Sequence, residues 1–199
     1  MAMLSDETSV FPILIIFFLT LIASVFTARY AAERFDSPKK RTILGFTIFA
    51  MVTAGIMLCF FGAAPAAVKG IIFFLILAFS AFADIKTREC DDHLHLMILI
   101  AAFIGTDLRA LPNMLLSGLF IGGIMLLTTA LTGSKLGGAD IKNAACAAFL
   151  LGLERGILGV MVGMLLAVII NLVKHNRSRG FGLIPYLTAG YMAVYFIPV

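Results

Sequence analysis

Runs of apolar residues dominate the chain, and charged, Gly or Pro residues interrupt them at intervals that suit helices rather than strands. The runs fall at 10–28, 42–62, 69–84, 93–105, 113–132, 140–154, 156–174 and 182–198. Most approach the roughly 20 residues a helix needs to cross a bilayer. A helix also keeps every backbone N–H and C=O paired inside lipid. The pattern predicts an all-α integral membrane protein, a polytopic bundle of about eight transmembrane helices. Two runs, 93–105 and 140–154, are short, and they span only if their polar ends lie in a water-accessible cavity or the bilayer is locally thin. Three G-x-x-x-G pairs, Gly118 with Gly122, Gly152 with Gly156 and Gly159 with Gly163, predict close helix packing.

Composition sharpens this picture. Of 199 residues 61% are hydrophobic and 13% charged, with 18 Phe and no Trp, well outside the range of a soluble domain. The apolar runs use up nearly all of the chain, so a single membrane domain over 1–199 is expected. The net charge of +4 does not point to nucleic acid, because the basic residues lie between apolar runs and there serve to orient the chain in the bilayer. With eight crossings and an external N-terminus, one side holds Arg29, Arg34, Lys39, Lys40, Arg41, Lys86, Arg88, Lys135, Lys142, Lys174, Arg177 and Arg179. The other side keeps Lys69, Arg109 and Arg155. The positive-inside rule makes the richer side cytoplasmic. The opening "MAMLSDETSV" has no basic residue before its apolar run, which predicts a retained first helix rather than a cleaved signal peptide. Cys59, Cys90 and Cys146 stand singly, without the spacing of a zinc site or a disulfide framework.

Two acids stand at the ends of apolar runs on the predicted cytoplasmic side. Asp84 closes "IIFFLILAFSAFAD", Asp140 opens "ADIKNAACAAFLLG", and each is followed by Ile and Lys. Either alone reads as an interfacial residue or a helix cap. Together they allow more, because two carboxylates brought close cannot both ionise easily and one is pushed to hold a proton. The ionised member can then take a proton from attacking water while the protonated one donates to the oxyanion and the leaving amine. Gly137 and Gly138 before Asp140 are expected to let a substrate backbone come close and to permit φ values closed to other residues. His93 and His95 are two apart and point to different sides of a helix, so no metal site is predicted. Asp92 is expected to cap a helix beginning at His93. Lys86 and Lys142 either bias the carboxylates or snorkel to the interface.

Gly137-Gly138-Ala139-Asp140-Ile141-Lys142 resembles the G-x-G-D-x-K motif of the type IV prepilin peptidases, membrane aspartic peptidases that cleave prepilin and pseudopilin leaders. Asp84-Ile85-Lys86-Thr87-Arg88 resembles that family's other motif, and "IPYLTAGY", Ile184 to Tyr191, its closing Pro-aromatic segment. The resemblance runs from about residue 70 to 191 and implies a peptidase core over 69–198, with an N-terminal helix pair, 1–62, that carries no signature. Ala139 stands where the motif has its second Gly, and Cys90-Asp91-Asp92 stands where the family reads Ile-Pro-Asn. The cysteine-rich methyltransferase domain of many members has no counterpart in the short loop "RYAAERFDSPKKR". The resemblance therefore implies a peptidase-only form in the inner membrane, active at the cytoplasmic face, with Asp84 and Asp140 catalytic, a prepilin-like substrate and no cofactor. The rival readings are a small proton- or cation-coupled transporter and a non-catalytic partner of a pilus assembly machine.

Overall fold

The computed structural model describes residues 10–133, 136–173 and 182–197. All regular structure among them is helical: α1 (Val10–Arg34), α2 (Lys39–Phe61), α3 (Pro65–Thr87), α4 (Asp92–Ala102), α5 (Leu111–Thr132), α6 (Gly138–Leu151), α7 (Leu153–Val173) and α8 (Ile184–Val194), with a 3-10 turn at Leu108–Ala110 leading into α5. Lys135, Lys174, Arg177 and Arg179, used above for orientation, lie outside the described residues.

Five of these helices, α1, α2, α3, α5 with its preceding turn, and α7, are long and apolar enough to cross a membrane. The other three are not. With 11, 14 and 11 residues, α4, α6 and α8 reach only about 17 to 21 Å against a hydrocarbon core of about 30 Å. The apolar runs overstated these helices because hydropathy does not see where the backbone turns. Gly152, at φ 86°, ends α6 before the run 140–154 is over, in a conformation that favours glycine. Conversely, α1 runs on to Arg34, because "RYAAER" is built largely of good helix formers. Pro38 and Asp36, at φ 43°, then turn the chain into α2.

The chain divides into two compact units after Leu75. In the first, α1 packs against α2, and both bury small residues at helical spacing: Thr20, Ser24, Ala28 and Ala31 on α1, Ala50, Thr53 and Ala54 on α2. Small side chains let two helices approach closely in lipid.

The second unit is organised around α6, which touches α4, α5, α7 and α8 and buries Asn143, Ala144 and Ala147 to Leu151. Of the six glycines in the three pairs, five pack closely, and Gly152 does not, since a Cβ there would meet nothing within 4 Å. A Cβ at Gly122 would stand 3.0 Å from the Ala145 Cβ on α6, and one at Gly156 would stand 2.8 Å from the Ala148 Cβ. Gly163 sits against Leu187 in the same way, and Gly159 takes the Tyr191 ring, both on α8. The outward faces of α5 and α7 carry Leu119, Leu126, Leu131, Met161, Leu165 and Val173, all exposed, the surface a bilayer requires.

Gly190 completes the α7–α8 contact and was not singled out by the sequence. A Cβ there would collide with the Gly159 carbonyl oxygen and lie 2.7 Å from the Gly163 nitrogen. Both are backbone atoms that cannot swing aside. Gly190→Ala is therefore expected to destabilise the protein by about 1–3 kcal/mol, read as a lower Tm in detergent. An unchanged Tm would show that the two helices separate at little cost.

Candidate active site

Asp84 lies in the last turn of α3, where Lys86 and Arg88 follow it. Arg88 ends the helix at φ 57°, its N–H bonding back to the Asp84 carbonyl at 3.0 Å. The Asp84 side chain is buried, only 6% exposed, which is rare for a carboxylate unless something engages it. Two features of the chain entering α8 meet it. The Ile184 backbone N–H, at the first turn of that helix, lies against the carboxylate. A Cβ at Gly182 would collide with its Oδ2 and stand 2.6 Å from its Cγ. Gly182 thus gives the carboxylate its room, and Oδ2 itself is buried without a hydrogen-bond partner.

Asp140 lies in the first turn of α6. Its Oδ2 accepts the Gly137 N–H at 3.2 Å, turning back over the helix start as a capping acid does. Of the two expectations for the glycines, the one about φ is not met. Gly137, at φ −64° and ψ 139°, is in extended conformation, and positive φ is found at neither Gly137 nor Gly138. What Gly137 supplies is space, since a Cβ there would stand 3.0 Å from Asp140 Oδ2. Around Gly138 a Cβ would meet nothing within 4 Å. Ala139 is an ordinary helical residue in α6, so its methyl replaces no freedom the fold uses.

The two carboxylates, 56 residues apart in sequence, lie within electrostatic reach of one another. Each also sits at a helix N-terminus, Asp140 on α6 and Asp84 against α8, where the macrodipole is positive. Cys90, in the loop after α3, is the third marker of the convergence. Burial, together with the charges of Asp84, Asp91 and Asp140, pushes its thiol up to about 11 against a hydrogen bond with Ser80. The thiol is thus neutral at physiological pH.

The remaining expected residues separate from this centre. Lys142 forms an ion pair with Asp92 at 2.7 Å, tying α6 to the start of α4. An exposed pair of this kind contributes little energy, but it fixes where the lysine points. Lys86 lays its ammonium over the Phe82 ring, 5.6 Å from the centroid. The expected cap is corrected: α4 begins at Asp92, so Asp91 takes the N-cap position and makes no side-chain cap bond. His93 approaches Asp91 at 3.9 Å, and His95, buried, approaches Asp92 at 3.8 Å. Among the described residues no three His, Cys, Asp or Glu side chains converge as a metal site would require.

Sequence reasoning missed Gly182, Asn143 and the Tyr191 hydroxyl. Asn143 and Tyr191 are wholly buried, and the polar atoms of both side chains lack partners. A buried Asn three residues after Asp140 was the available signal, since an amide facing an apolar interior needs a reason.

A model of the Type IV leader peptidase family matches residues 71–172 of this chain, a span that contains both carboxylates and all of α4, α5 and α6. Neither a curated protein nor a solved structure matches it.

Proposed function

The chain belongs to the type IV leader peptidase family, and from that premise we propose that it is a membrane aspartic endopeptidase that removes the short basic leader of a prepilin-like substrate. The observation that carries the reading is that Asp140, at the start of α6, lies within electrostatic reach of the buried Asp84 carboxylate in the last turn of α3. The substrate's apolar helix lies in the bilayer against the bundle, with its scissile bond at the carboxylates. One carboxylate, ionised, takes a proton from water as the water oxygen attacks the scissile carbonyl carbon. The other, protonated, donates to the forming oxyanion, and the C–N bond then breaks with a proton delivered to the amine. The pair titrates as a unit, so both protonation states belong to the dyad rather than to one residue.

The peptidase core is assigned to residues 69–198, with the α1–α2 pair beside it in sequence. The three short helices complete eight crossings, their polar ends in a water-accessible hollow or a thinned bilayer. The basic residues then lie mainly in the cytoplasm of an inner-membrane protein, and the carboxylates face that side. Two experiments test this. Co-expression with candidate prepilin-like proteins should produce a mobility shift the size of a leader, and no shift with any of them would sink the peptidase reading. For orientation, in a background without the native cysteines, Arg109→Cys should react with an impermeant thiol reagent added outside the cell and Lys39→Cys should not. Reaction at both positions would refute the topology.

A further inference from the structure

Along α6, Asp140, Asn143 and Cys146 recur every three residues, so that Asn143 neighbours each of the other two on the helix surface. Asn143 lies midway, fully buried, with Oδ1 and Nδ2 both lacking a hydrogen-bond partner. The Tyr191 hydroxyl on α8 is also fully buried and unpartnered, and it lies within electrostatic reach of both Asp140 and Cys146. The Tyr191 ring has little freedom to turn the hydroxyl elsewhere, because it packs where Gly159 has no Cβ, its Cδ1 2.5 Å from that position. Asp84 Oδ2 is unpartnered as well. Folded proteins leave few buried polar atoms unmatched; among the described residues of the second unit those of Asp84, Asn143 and Tyr191 are unmatched, as are both ring nitrogens of His95.

We propose that Asn143 and Tyr191 hold the main chain of the substrate peptide beside Asp84 and Asp140, an inference that rests on the peptidase reading. A bond can be hydrolysed only where the substrate helix unwinds, and unwinding strips its N–H and C=O groups of their partners. At a membrane boundary such groups must be paired by the protein. The Asn side chain is itself an amide: Oδ1 accepts a peptide N–H, Nδ2 donates to a peptide C=O, and the Tyr191 hydroxyl donates to a second carbonyl. The ligand class is therefore extended peptide backbone, which fits a site that reads position along the substrate more than side-chain identity. Asn143 and Tyr191 act as binding residues, and the chemistry stays with the carboxylates.

The test uses the full-length protein in nanodiscs and a synthetic peptide with a short basic leader followed by an apolar helix. Asn143→Leu keeps the shape and removes an amide that the free protein leaves unmatched, so its Tm should rise above wild type while kcat/KM falls about tenfold, chiefly through KM. A residue kept only for packing would not give that combination. Tyr191→Phe keeps the ring and should lose a similar factor, and the double variant should lose less than the product of the two if both hold one peptide. Unchanged kcat/KM in both single variants would overturn the inference and leave the peptidase reading standing. Failure of the wild-type protein to cut the peptide would count against the peptidase reading instead. In that case the rise in Tm on adding peptide decides: a rise in wild type that is absent from Asn143→Leu supports the inference, and equal rises overturn it.

Discussion

Asp84→Asn and Asp140→Asn should each abolish leader removal while the protein still inserts and accumulates. Asn preserves the size and most of the hydrogen-bonding shape of Asp but cannot exchange a proton. Loss of a single general acid or base commonly lowers the rate about 10²–10⁴-fold, and here the same change also removes the base that activates water. Folding should survive, because Gly137 can still donate to the Asn oxygen at position 140 and because loss of one like charge relieves repulsion between the pair. Asp91→Asn and Asp92→Asn are the controls: Asp91 lies near His93 and Asp92 is tied to Lys142, and both should keep most of the activity. The pH dependence has a defined sign. A dyad that shares one proton fails in acid, when both members are protonated, and fails in alkali, when both are ionised, so kcat/KM should follow a bell. Rates are best measured in a cell-free assay with accumulation checked in parallel, and loss of the protein along with the activity would point to a structural role.

Gly182→Ala should be nearly as damaging, although no reacting atom belongs to residue 182. The added methyl would occupy the place of the Asp84 carboxylate, so either the carboxylate rotates away or the chain leading into α8 moves back. Both outcomes displace Asp84 from Asp140 and withdraw the Ile184 N–H. A misplacement of about 1 Å in a catalytic group can cost about 10²-fold, and a loss of that order in kcat with little change in KM is expected. A rate close to wild type would show that the approach to α8 yields without disturbing the carboxylate.

The sequence announced Asp84 and Asp140 because a charge at the edge of an apolar run is conspicuous, and the repeated D-I-K made the two comparable. Helical class was legible for the same reason, from runs too long and too apolar for anything else. The lengths of α4, α6 and α8 were not, since hydropathy continues across Gly152 and past Ala102 while the backbone stops. Gly182 could not be found from sequence because its importance is a contact 98 positions away, with Asp84, made across the interior of the second unit. The Lys142–Asp92 pair spans 50 residues and was hidden in the same manner: local reading left the lysine either beside Asp84 and Asp140 or at the membrane surface, and the fold pairs it with Asp92. For Gly137 the expectation about φ is not met. Its lack of a side chain makes room for Asp140, and its backbone conformation is one that any residue can adopt.

The claim that these two carboxylates cut a leader peptide is tested most directly by incubating the purified protein in nanodiscs with the leader–helix peptide and determining both product ends by mass spectrometry. The account predicts a single cut where the basic leader meets the apolar helix, present with wild type and absent with Asp140→Asn. Cleavage by Asp140→Asn at a rate near that of wild type would contradict it, and would return Asp140 to the role of a helix cap.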